Sequence, residues 1–185
     1  MKRLLLAAML SPSAALAHPG HVQDGGQLLH GLAHPVGGAD HLLAMVALGL
    51  LAAQLGGRAV WALPGTFVGA MLAGGMMGAG GVGFPAVEPM ILASVVILGV
   101  MVAMAARLPL AALLPMVAAF GAAHGWAHGT EGPATGLALY AAGFVLATLA
   151  LHLGGIAFGR LLSRGLELRV LGGGTALAGI ALAVA

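Results

Sequence analysis

The sequence holds no cysteine among its 185 residues. That excludes a disulfide, a thiolate metal site and a cysteine nucleophile. Charge is almost as scarce, at 6% Asp, Glu, Lys and Arg, against about 25% in a soluble domain. There is no glycine-rich phosphate loop, no phosphorylatable Asp-Lys-Thr-Gly and no Gly-x-Ser nucleophile. The chain therefore does not energise itself with ATP, and it lacks the serine of an intramembrane protease. What remains is 61% hydrophobic with a mean hydropathy of +1.07, the composition of an integral membrane protein whose first partner is the lipid bilayer. The net charge of +2 comes from a few loop arginines and points to no nucleic acid.

Lys2 and Arg3 precede a short apolar run, Leu4 to Leu10, and Ala15-Leu16-Ala17 forms a small-x-small site. This is the pattern of a signal peptide covering residues 1–17, cleaved to leave His18 first; an uncleaved anchor is the alternative. Residues 18–27 are a short polar, exported segment containing His18 and His21. Its histidines could capture metal, although Pro19 lacks the amide an amino-terminal chelate would use, and a plain tail is the simpler account.

Residues 28–185 hold six apolar segments, at about 28–55, 60–80, 86–106, 109–128, 134–158 and 167–185. Each is near the roughly 20 residues that cross a bilayer. None alternates with period two, so the expected class is all-α: a polytopic bundle of six transmembrane helices. Pro35 and Gly37-Gly38 predict a break in the first, with a new helix from about Ala39. With the mature N-terminus outside, Arg58, Arg107, Arg160, Arg164 and Arg169 all fall on the cytoplasmic side, as positive-inside orientation requires. Both mature termini are then periplasmic and the membrane is the bacterial inner membrane.

Glycine is abundant, with 32 residues. Gly121, Gly125 and Gly129 recur every four residues, as do Gly65 and Gly69; such rows predict close helix packing.

Against this apolar background the ionisable residues stand out, because they are expensive at membrane depth. His34, Asp40 and His41 surround the break in segment one, and His124 and His128 share one face of segment four at i, i+4 spacing. Glu88 opens segment three. The topology places all six toward the periplasm, from three segments. Four imidazoles and two carboxylates suit divalent nickel, cobalt, zinc or copper. Ligation needs deprotonated groups, so uptake should weaken in acid. His30 reads as an interfacial residue and His152, in the inner half of segment five, as a packing histidine or part of an exit path. Met76, Met77, Met101 and Met104 read as gap-filling side chains.

The stretch HPVGGADH at 34–41, Pro85-x-x-Glu88 and AHGWAHGTE at 123–131 resemble the HupE/UreJ family of nickel and cobalt permeases. The resemblance covers the whole mature chain. It implies a metal site at His34, Asp40, His41, Glu88, His124 and His128. It also implies uptake of Ni2+ or Co2+ as a transported ion, with no prosthetic group, serving hydrogenase or urease maturation proteins. An intramembrane zinc hydrolase is the competing reading, since His and Asp in a bundle can also hold a catalytic zinc.

Overall fold

A computed structural model describes residues 24–162 and 165–185. The expected signal peptide, His18, His21 and Arg164 lie outside the described residues. Those residues form seven α-helices and no strand: α1 Asp24–Gly37, α2 Ala39–Leu55, α3 Ala59–Ala79, α4 Val87–Ala103, α5 Leu110–Glu131, α6 Leu137–Leu161 and α7 Leu166–Val184.

Four helices, α3, α5, α6 and α7, are long and apolar enough to cross a membrane. The pair α1 and α2, bent by 82° at one residue, is apolar enough when taken together to be a broken span or a re-entrant loop. That residue is Gly38, extended at φ −105° and ψ 121°, so the break falls where Pro35 and the glycine pair predict it. Helix α4 is shorter than the expected 86–106. It has 17 residues, about 26 Å at 1.5 Å per residue. It stops because Met104 and Ala105 turn, with Ala105 at φ 52° and the Ala106 amide donating back to the Met101 carbonyl.

Helix α2 is the centre of the bundle. Ala44, Met45 and every residue from Ala47 to Gln54 are buried, and α2 packs against α3, α4, α6 and α7. Around it α3 lies along α5, α4 along α7, and α1 across α6. The pairings depend on missing side chains. A Cβ at Gly121, Gly125 or Gly129 would run into the carbonyls of Phe67, Met71 or Gly75 on α3. In return, a Cβ at Gly74 or Gly78 would strike the carbonyls of Ala122 or Trp126 on α5. The row expected at Gly65 and Gly69 is a correction: neither has a neighbour within 4 Å, and the α3 packing row is Gly74 and Gly78 instead. Gly49 with Gly155 joins α2 to α6, and Gly99 with Gly172 joins α4 to α7, in the same way. Without water in hydrocarbon there is little hydrophobic drive between helices, so close backbone approach carries the association.

The two ends of the bundle differ in charge. Arg107 lines a cavity with Gln54 and Leu55, while Arg160 lines one with Gly56, Gly57 and Trp61. The Arg169 Nε donates to the Ala103 carbonyl at 2.8 Å at the same end. The other end holds His34, Asp40, His41, Glu88 and Glu131 around a single cavity of about 480 Å³.

Candidate metal centre

The break at Gly38 sets the first half of the site. It ends α1 just after His34 and leaves Asp40 in the first turn of α2, where the helix dipole favours a carboxylate. Asp40 Oδ1 accepts two hydrogen bonds from His41, one from the backbone amide and one from ring Nδ1, each 2.8 Å. A Cβ at residue 38 would approach that carboxylate oxygen to 2.8 Å and the ring nitrogen to 3.2 Å. Glycine at 38 therefore makes room for the Asp40–His41 pair. With Nδ1 donating, the His41 Nε2 lone pair is left bare and buried.

Helix α5 supplies the other half. His124 and His128 are 0% and 5% exposed. His124 Nδ1 donates to the Phe120 carbonyl at 2.9 Å, one turn back, so its Nε2 is also bare. Both nitrogens of His128 are buried without a partner. The glycine row turns toward α3, while the imidazoles, about 100° round the helix, point to α1, α2 and α6. The His41 ring lies 4.7 Å from that of His124 and 4.5 Å from that of His128, and His34 lies 4.7 Å from His128. Phe144 covers His128 at 3.9 Å, and Phe67 covers His124 at 5.3 Å.

Of the six residues expected from sequence, five meet in this way. His34, His41, His124 and His128 form a continuous chain of imidazoles, and Asp40 orients one of them. A carboxylate that fixes a ligating imidazole through its other nitrogen is a common way to set ring orientation and basicity. Glu88 lines the same cavity from the first turn of α4, exposed, beyond Ala86 in a left-handed conformation at φ 63°. One residue was missed. Glu131 Oε2 lies 3.5 Å from His34 Nε2, and one atom each of His34, His128 and Glu131 fall within 4.8 Å of one another. The signal was present: Glu131 follows His128 by three residues, on the same helix face. Two imidazoles and a carboxylate at that separation can close on a divalent ion.

Other expectations resolve simply. His30 is exposed at the cavity rim, with its ring 5.9 Å from His34 and 5.2 Å from Tyr140. Met76, Met77 and Met104 are 72%, 38% and 69% exposed, whereas Met101 is buried in the hydrophobic core. His152 is wholly buried on α6.

The profile described as HupE / UreJ protein matches residues 6–182. Protein HupE of Rhizobium leguminosarum bv. viciae is 44% identical over 188 residues, covering 97% of this chain and 95% of its own. No solved structure matches.

Proposed function

The chain belongs to the HupE/UreJ family, and we propose that it is a permease carrying divalent transition-metal ions, Ni2+ or Co2+, inward across the bacterial inner membrane. In this reading α1 with α2, then α3 to α7, make six spans. The arginine end is cytoplasmic and the histidine end periplasmic. A cleaved signal peptide precedes them, and the cargo serves hydrogenase or urease maturation, as the family resemblance implies.

One observation carries the proposal: a carboxylate and four imidazoles form a continuous run from an open cavity into the buried bundle. His34, His128 and Glu131 sit at the cavity, where a hydrated ion can exchange water for nitrogen and oxygen ligands. His41 lines the same cavity beside them and His124 lies one ring further in, each with Nε2 bare. An ion moves between sites that share His128 as a neighbour, so it is never stripped of all ligands at once. Asp40 holds His41 in the accepting tautomer and adds negative charge beside the path. Nothing in this sequence couples the movement to ATP. Intracellular capture, membrane potential or proton exchange then supplies the drive.

The test is metal accumulation in cells expressing the wild type, His34→Ala, Asp40→Ala, His41→Ala and Glu131→Ala, against an empty vector. The wild type is expected to raise cellular nickel or cobalt, and each variant to lose most of that gain. Accumulation equal to the vector in every strain, with the protein present in the membrane, would sink the permease reading.

A further inference from the structure

His152 is not part of the run of imidazoles, yet it is placed beneath it. It is 0% exposed, and both Nδ1 and Nε2 lack a hydrogen-bond partner. Its ring stands edge-on to Phe67 at 5.2 Å and 89°. The same Phe67 ring lies 5.3 Å from His124. One aromatic ring thus separates His152 from the last imidazole of the cavity run. One turn before His152 on α6 is Thr148, also 0% exposed, with its hydroxyl 3.8 Å from the Met71 sulfur.

Depth along α6 gives the position. Phe144 covers His128, and His152 lies eight residues further on, about 12 Å at 1.5 Å per residue. Seven residues beyond, about another 10 Å, Gly159 lines the cavity at the arginine end with Ala53 and Arg160. His152 is therefore near the midpoint between the two cavities. A buried imidazole with two unmet nitrogens costs free energy that an apolar side chain of similar shape would not, and such groups call for an explanation.

We propose that His152 is a second, inner station for the transported ion, reached past Phe67 and assisted by the Thr148 hydroxyl and the Met71 thioether. A bare imidazole nitrogen, with a hydroxyl one helical turn away that itself meets a soft sulfur, suits a borderline divalent cation that has already lost water. This rests on the permease reading, and it divides the path into an outer capture site and an inner hand-over.

The experiment uses the full chain in proteoliposomes, with Co2+ outside and a Co2+-quenched dye inside. Wild type, His152→Leu, His152→Gln and His34→Ala are compared over a range of Co2+ concentration. Equilibrium Co2+ binding to the same detergent-purified proteins serves as the check on folding and on the outer site. His152→Leu and His152→Gln are expected to bind Co2+ at the outer site as the wild type does, with unchanged half-saturation of uptake. Their maximal rate falls about tenfold or more, the scale on which metal-site partners act. His34→Ala instead raises half-saturation. If His152 only packs, either variant that binds Co2+ normally will transport within about twofold of wild type, and the inner station is wrong while the permease stands. Wild-type liposomes no faster than empty ones would remove both readings together.

Discussion

Asp40 accepts both hydrogen bonds that His41 offers it, and in the proposed site it holds that ring in place. Asp40→Asn keeps an acceptor oxygen but loses the charge. It should weaken Co2+ binding about 10- to 100-fold, as loss of such an orienting partner does, whereas His41→Ala should abolish transfer beyond the outer site; isothermal titration of purified protein measures the first and liposome uptake the second. Gly38→Ala should act like Asp40→Asn, since the added methyl meets the carboxylate itself. Acidity acts on the same atoms. His34 and His128 each bind metal through a lone pair that a proton can take, so affinity must fall once the medium is acidic enough to protonate them. With two imidazoles and Glu131 in the outer set, up to two imidazole protons compete with each ion. Half-saturating Co2+ should therefore rise on acidification, and a half-saturation that falls instead would contradict imidazole ligation.

At the scale of elements, the helices associate where side chains are absent. Gly125 of α5 rests on the Met71 carbonyl of α3, and His124 and His128 are held in the interior by that contact. Gly125→Ala must push backbone from backbone, and overpacking of this kind costs about 1–3 kcal/mol or more. It should lower the thermal midpoint in detergent and weaken metal binding with it. Gly65→Ala is the control: open space surrounds it, and alanine favours a helix over glycine by about 1 kcal/mol. Its midpoint should hold or rise. The sequence shows both Gly-x-x-x-Gly rows alike, because spacing alone does not say which side of a helix another helix will cover.

For the whole molecule, orientation is the prediction that the missing cysteines make easy to check. A single introduced thiol has no native competitor. Ala134→Cys, in the loop after α5 at the histidine end, should react with a membrane-impermeant maleimide in intact cells. Leu108→Cys, beside Arg107, should react only after permeabilisation. The reverse pattern would put the metal cavity in the cytoplasm and turn the proposed direction of transport around.

The apolar runs, the scarcity of charge and the glycine content together determine a helical membrane protein, and Pro35 with Gly37-Gly38 determines where its first span breaks. Those signals are local: a helix needs length and hydropathy, and a break needs a residue that cannot continue the ladder. The ligand types are legible too, because His, Asp and Glu stand out from an apolar background. Which helix lies at the centre was decided only by tertiary structure. Residues facing lipid and residues facing the core are equally apolar, so α2, buried nearly all round, reads no differently from α7, whose outer face is exposed. The same holds for the site. Glu131 joins His34 only when α1 and α5 pack at one end, and His152 falls beneath His124 only because α3 sets Phe67 between them. Contacts between residues so far apart in the chain have no local signature, and close backbone packing at glycine is what selects them.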